Sequence, residues 1–340
     1  MNKQFNIAVD AMGGDNSPEK VLEGINMFLK DNENSFINIF GDTKLINSQI
    51  KKYQNINSSN SKIIHSEDKV PSECSVRDAI KIGKQTSMWM SIDSVKRGES
   101  DIIISAGNTG ALLVMSKLIL KTIDGVDKPA LAAIWPNFKS YSLLLDLGAN
   151  VECTEKNLIE FSFLGTELFR AIFNKEKVSC ALLNIGTEEI KGHESIKNAN
   201  SYLLEKKITN FDYKGFIEGN EIKNGDCDVI VTDGFTGNVA LKTAEGTANF
   251  ITTEIKKSFS KSIFSKIGYL FSYFAFKDIK KKLDPRKFNG AIFLGLNAPV
   301  IKSHGSADAF AFYNSISLSY RILNGNLISK IKNNFINLNV

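Results

Sequence analysis

Six short stretches set glycine beside amine, amide, hydroxyl or carboxylate side chains: DAMGGD (10–15), SAGNTG (105–110), LDLGANV (145–151), LNIGTEEIKG (183–192), DGFTGNV (233–239) and VIKSHGSAD (300–308). Glycine lets a backbone come close to a ligand, and the N–H groups at a helix start favour an anion such as phosphate. Gly13 and Gly14 follow the apolar run 5–9 and precede Asn16, Ser17 and Pro18, a helix-start signal. The expected order there is strand, glycine turn, helix, and the plain alternative is a tight connection that binds nothing. In SAGNTG, Gly107 and Gly110 flank Asn108 and Thr109, so a hydroxyl, an amide and backbone N–H groups can meet one phosphate.

Lys191, between Gly186 and Gly192, can neutralise a phosphate or a developing oxyanion; a solvated lysine at a helix start is the competing reading. Asn238 and Lys242 follow the glycine turn 234–237. His304, one of three histidines, stands among Lys302, Ser303, Gly305 and Ser306. General acid or base work suits it, against the commoner structural role of a lone histidine. Asp10, Asp15, Asp146 and Asp233 could in principle hold magnesium, but aspartates after strands are more often turn formers and caps. With no His/Cys ligand cluster, neither a metal nor a cofactor is expected. A dinucleotide site would show GxGxxG and an acidic residue after the second strand; only Asp42, at loose spacing, offers the latter. A nicotinamide-dependent dehydrogenase is therefore the alternative enzyme.

These turns need elements to hold them. Runs such as FINIFGD, DIIIS, SLLLD, CALLN, DVIVTD and AIFLGL each read as a buried strand that ends in a turn. Between several of them lie helical patterns, the clearest over 154–172 with Thr154 as its cap and Leu158, Ile159, Leu164 and Leu168 near helical spacing. Strands alternating with helices predict a parallel, helix-covered α/β sheet with a ligand crevice at the carboxyl ends of the strands, built as one catalytic unit over 1–340. The polar stretch 47–62 reads as a surface loop or short exposed helix, and 324–340 as a last amphipathic helix with a frayed end.

Composition narrows the class. The chain has 340 residues, 43% hydrophobic and 23% charged, which suits a globular protein rather than a disordered one. Its four cysteines are far apart, so reduced thiols inside the cell are expected rather than a zinc site or a disulfide framework. No secretion signal is expected, and no apolar run reaches the roughly 20 residues needed to span a bilayer. The net charge is +5, yet residues 256–287 alone hold ten Lys or Arg against two Asp, a local +8, so the remainder carries −3. No zinc-finger or RRM-like pattern accompanies that segment, which argues against nucleic acid.

Within 255–287, Ile255, Phe259, Ile263, Ile267, Leu270, Phe271 and Phe274 recur at steps of three or four, with lysines at both ends. This predicts an amphipathic basic segment lying on an anionic membrane surface, with Ile267, Leu270, Phe271 and Phe274 in contact. The competing reading packs the same side on a partner subunit. A non-catalytic membrane-surface adaptor would explain the segment but leave six glycine turns without a purpose.

Taken in order, DAMGGD, SAGNTGAL, LDLGANV, LNIGTEEIKG, DGFTGNVALKT and VIKSHGSAD resemble the phosphate acyltransferase family of bacterial phospholipid synthesis, from residue 7 to about residue 314. The resemblance implies transfer of a long-chain fatty acyl group from acyl carrier protein to inorganic phosphate. The acyl phosphate would then serve phosphatidic acid synthesis, passing to a membrane glycerol 3-phosphate acyltransferase. It further implies a Rossmann-like three-layer α/β/α sandwich, similar to phosphotransacetylases and isopropylmalate dehydrogenases, a homodimer, and a cytoplasmic place at the inner face of the membrane. Phosphate is already nucleophilic, so the site must position and stabilise. Gly13, Gly14, Gly107, Asn108, Thr109, Gly186 and Lys191 are the candidates around phosphate, and Asn238 and His304 those beside the thioester or leaving thiolate. Asp10 and Asp15 would frame the first turn by hydrogen bonding. Lys81 and Lys84 depart from the arginine usual in relatives, and Thr86 precedes Ser87 where Ser-Ser is common. If either lysine holds phosphate or the carrier protein, its grip lacks the bidentate geometry of a guanidinium.

Overall fold

Apolar runs that are hydrophobic on every residue must be covered on both faces, and the chain does this with one eleven-stranded sheet. The computed structural model describes residues 4–335 apart from 33 and 207. The strands are β1 (Phe5–Asp10), β2 (Ser35–Gly41), β3 (Ser61–His65), β4 (Ile102–Ser105), β5 (Ala130–Pro136), β6 (Tyr141–Leu145), β7 (Ser179–Leu183), β8 (Asp212–Ile217), β9 (Val229–Val231), β10 (Ala291–Leu294) and β11 (Val300–Lys302). Their spatial order is β3-β2-β1-β4-β11-β10-β5-β6-β9-β7-β8.

Alternation along each strand divides the core between the two faces. Ile7, Val9, Ile102, Ile104, Leu143, Leu145 and Ile301 belong to one buried cluster. Ala8, Ile103, Leu144, Ile230 and Val300 belong to the other. The helices that cover them are α1 (Glu19–Asp31), α2 (Thr43–Ile50), α3 (Val76–Ile82), α4 (Ser87–Lys96), α5 (Thr109–Leu120), α6 (Glu155–Phe173), α7 (Glu194–Glu205), α8 (Gly234–Ser260), α9 (Ile263–Lys282), α10 (Ala309–Asn324) and α11 (Leu327–Phe335). α1 packs on α10, α4 on α5, and α6 on α7, α10 and α11. Thr154 caps α6 as expected, in a reciprocal box with Asn157.

The sheet is mixed, which corrects the expectation of a parallel one. β11–β10, β10–β5 and β5–β6 are antiparallel. Three reversals in a row leave β1, β2, β3, β4 and β11 running one way and β6, β9, β7 and β8 the other. The cause is two local hairpins: 137–140, where Asn137 Oδ1 accepts from Lys139 N and Ser140 N, and 295–299, which opens on Gly295 at φ +89°. The carboxyl ends therefore fall on two edges of the sheet, not along one crevice.

The segment 255–287 was expected to gather its apolar residues on one helical side. Instead α8 runs on to Ser260, and Ser262 starts α9 by capping Ser265 N, so the segment bends into a hairpin. Phe259 turns inward, with its ring centroid 5.0 Å from Phe276 and 5.5 Å from Tyr269. Ile267, Leu270, Phe271 and Phe274 remain exposed on the outside. Of the stretch 47–62, residues up to Ile50 finish α2 and Ser61 begins β3. The expected frayed end of the last helix, 336–340, lies outside the described residues.

Candidate active site

Three turns from distant parts of the chain meet at one edge of the sheet. They follow β1, β4 and β11, which are parallel neighbours. A Cβ on Gly13 would lie 2.5 Å from Gly107 N, and one on Gly14, at φ +79°, 2.7 Å from Gly305 O. Only glycine permits so close an approach. Gly305 O in turn accepts from Asp15 N at 3.0 Å and from Lys20 Nζ at 2.5 Å.

Asp10 holds this junction from beneath. Its carboxylate accepts from Ser87 Oγ at 2.6 Å, Ser105 Oγ at 2.6 Å and Met12 N at 3.1 Å. Burial raises its pKa above the ordinary carboxylate value, against the pull of those donors. Ser105 Oγ also accepts from Gly107 N at 3.0 Å. One buried carboxylate thus fastens β1, β4 and the start of α4.

Above it, cations converge. Burial lowers the Lys20 ammonium, with Asp15 opposing. Burial also pushes Lys302 down to about 8, aided by the charges of Lys20 and Lys242 and opposed by Asp10. His304 falls below its ordinary value, first through burial and then through Lys302 and Lys242, which favours its uncharged form. Ser306 N donates to His304 Nδ1 at 3.3 Å, which makes Nδ1 the acceptor and leaves Nε2 carrying the proton. Lys242 reaches this group from α8, which starts behind β9 and has advanced about 12 Å after eight residues.

The seat of α8 is equally close. A Cβ on Gly237 would lie 1.9 Å from Asp146 O, and one on Gly234 2.3 Å from Asn150 O. Asp146 itself accepts from Leu131 N, Gly148 N, Ala149 N, Asn150 N and Asn150 Nδ2, so it organises the turn after β6. Asn238 is exposed on the next face of α8, with its side chain against Gly148.

The structure thus joins Gly13, Gly14, Gly107 and His304; Asn238 lies against Gly148 at the turn after β6, one helical turn before Lys242. Asn108 caps α5 through Ala111 N and donates Nδ2 to Ser72 O and Cys74 O, so its side chain is committed to the fold; Thr109 next to it is exposed. Lys81 and Lys84 are exposed on and after α3, with Lys81 facing Asp78 at 3.5 Å. Lys191 is exposed at the turn after β7, 2.9 Å from Glu188, whose hydrogen bond and then charge raise its pKa; Gly186 packs against both side chains. No contact found among the described residues joins Lys191 to the cations around His304. Asp42 caps α2, its Oδ1 accepting from Lys44 N and Leu45 N. Among the described residues, no three His, Cys, Asp or Glu side chains are grouped to hold a metal.

Lys20 escaped the sequence reading, and Lys302 and Lys242 were seen only as neighbours of other residues. The signal for Lys20 was present: it sits on the stripe of Gly24 and Phe28, which is otherwise the buried side of α1.

Comparison with known proteins decides the family. The family described as "Fatty acid synthesis protein" matches residues 5–330. A phosphate acyltransferase of Pelagibacter ubique is 55% identical over 334 residues, covering 98% of this chain and 99% of that one. The chain belongs to the phosphate acyltransferase family. A second member, from Paramagnetospirillum magneticum, is 41% identical over 98% of this chain and 95% of its own. In fold, this acyltransferase matches a phosphotransacetylase from Streptococcus pyogenes with a TM-score of 0.62 at 17% identity, covering 97% of this chain and 95% of that one. The mixed α/β sheet with helices on both faces is the shared architecture.

Proposed function

We propose that this acyltransferase moves a long-chain acyl group from the thioester of acyl carrier protein to inorganic phosphate and releases acyl phosphate for phosphatidic acid synthesis. The observation that carries this reading is the convergence of Lys20, Lys242 and Lys302 around His304 at three glycine turns. Three ammonium groups around one turn suit a dianion; Asp10 is buried and bonded beneath them, Asp15 opposes Lys20, and Glu245 pairs with Lys242 at 2.8 Å.

In the proposed step a phosphate oxygen attacks the thioester carbonyl carbon. The C–O bond forms, the C–S bond breaks, and the proton of hydrogen phosphate passes to the leaving thiolate. Lys20, Lys302 and Lys242 hold the phosphate, while Thr109 offers a hydroxyl at the start of α5. Asn238 faces the carbonyl oxygen, and His304 Nε2–H donates to the phosphate or the departing sulfur. Orientation of two bound reactants and one oxyanion donor each lower such a barrier by several kcal/mol, about 3 for the donor. No protein nucleophile is needed. The test is phosphate-dependent loss of acyl-carrier-protein thioester with hydroxylamine-trappable product; loss that proceeds equally without phosphate overturns it.

The α8–α9 hairpin supports placement of the enzyme on an anionic bilayer, where its lipid product meets a membrane acyltransferase. Leu270, Phe271 and Phe274 are exposed beside the basic stretch 277–287, and no helix among the described residues is long and apolar enough to cross a membrane. Each lysine near such a surface contributes about 1 kcal/mol. Flotation with anionic vesicles tests it: the double variant Phe271→Glu, Phe274→Glu should lose binding yet stay dimeric. A double variant that turns monomeric assigns the face to the homodimer instead.

A further inference from the structure

We infer that the outer stripe of α8, together with the turns after β6 and β7, binds the acyl chain of the donor and sets its distance from the phosphate; this rests on the acyl-transfer reading above. Val151, Ile185, Ile190, Phe235 and Val239 are between 48% and 84% exposed. They come from the ends of β6, β7 and β9, which are neighbours in the sheet and point to the same edge. Five large apolar side chains left open around three adjacent turns form a surface that water covers poorly.

The register of α8 links that surface to the cations. Gly234 and Gly237 are buried against the turn 146–150, and Gly234 N donates to Asn150 O at 2.8 Å, so the helix cannot slide or roll without collision. Phe235, Asn238, Val239 and Lys242 then fall at i, i+3, i+4 and i+7 on one side, all exposed. Phe235 and Lys242 are about 10 Å apart along the axis. Along the stripe an aromatic ring, then an amide beside a second apolar side chain, then an ammonium follow one another in two turns. An acyl donor presents the same order: a hydrocarbon chain, a carbonyl, and the phosphate that attacks it. A second copy of the chain, or a lipid surface, would need an apolar face but not one that ends in the cations around His304.

The experiment compares the double variant Phe235→Ser, Val239→Ser with wild type, using palmitoyl and butyryl thioesters of acyl carrier protein and titrating phosphate separately. The expected result is a KM for the palmitoyl donor raised at least fivefold, with the butyryl KM and the phosphate KM unchanged. A companion variant, Val239→Phe, adds bulk without polarity and should shift preference toward the shorter donor. Equal changes for both donors, no change, or a change in oligomeric state instead of chain preference overturns the proposal. Wild-type enzyme that consumes neither donor in a phosphate-dependent way defeats the acyl-transfer reading itself, a result distinguishable from all of these.

Discussion

Lys20 in α1 donates its ammonium to the carbonyl of Gly305, 285 residues later and 2.5 Å away. The bond ties the first glycine turn to the last and holds a positive charge at their junction. Lys20→Met keeps the aliphatic stem and removes both effects. A charged hydrogen bond is worth about 1.5–3 kcal/mol, so the KM for phosphate should rise roughly 10- to 100-fold. Steady-state titration of phosphate at fixed acyl donor measures it, and an unchanged KM removes Lys20 from the site.

Lys302 should impose an alkaline limit. Its ammonium is protonated below about 8, so phosphate binding should weaken as pH rises through that value. For stability the sign is opposite: from about 8 toward 10.5 the unfolded chain binds a proton that the folded one has lost, so this group favours the fold as pH climbs. The measurement is kcat/KM for phosphate from pH 6 to 10. Lys302→Arg, with its higher pKa, should carry the plateau beyond pH 8.

Lys191 and Lys242 separate two readings of the site. Lys242 acts on Lys302 and His304 although its own ammonium pairs with Glu245 at 2.8 Å, whereas Lys191 pairs with Glu188 at a different turn. Lys242→Ala should raise the phosphate KM about tenfold, in line with one lost charged contact. Lys191→Ala should leave it within roughly twofold, the effect of an exposed ion pair. The reverse ranking would return phosphate to the turn after β7.

Two glycines in the same helix should respond in opposite directions. Gly237→Ala forces a Cβ to 1.9 Å from Asp146 O, and overpacking of this kind costs about 1–3 kcal/mol or more. Gly246 has nothing within 4 Å, so Gly246→Ala should add helix propensity of about 0.8–1 kcal/mol. Thermal unfolding of both variants reads the difference.

The sequence announced its buried strands well, because runs such as IIIS and LLL are apolar on consecutive residues and need cover on both sides. β5 was missed, since ALAAIWP is alanine-rich and ends in proline, and β8, DYKGFI, mixes charge with a glycine. Missing β5 hid the reversal of the sheet: strand direction depends on hairpins, and neither 137–140 nor 295–299 carries an Asn-Gly or Asp-Gly pair to mark it. Within the site, His304 and the glycines were visible because turns concentrate unusual residue types. Lys20 was not, because a lysine in a helix reads as solvated until the fold shows which side is buried. Asn108 caps α5, and a cap and a ligand-binding amide look alike in sequence.

The position of β11 has a consequence for how the enzyme is made. Among the described residues, 300–302 form the last strand in chain order, yet they lie between β4 and β10 near the middle of the sheet. At about 5–20 residues per second, a ribosome spends some 15–60 s on the chain before that strand exists. Until then β4 lacks its neighbour on that side, and Lys302 and His304 are absent from the proposed phosphate site. A nascent chain halted short of residue 300 therefore lacks the strand that joins the two halves of the sheet and two of the side chains proposed to hold phosphate, so catalytic competence is expected only once that strand has been inserted.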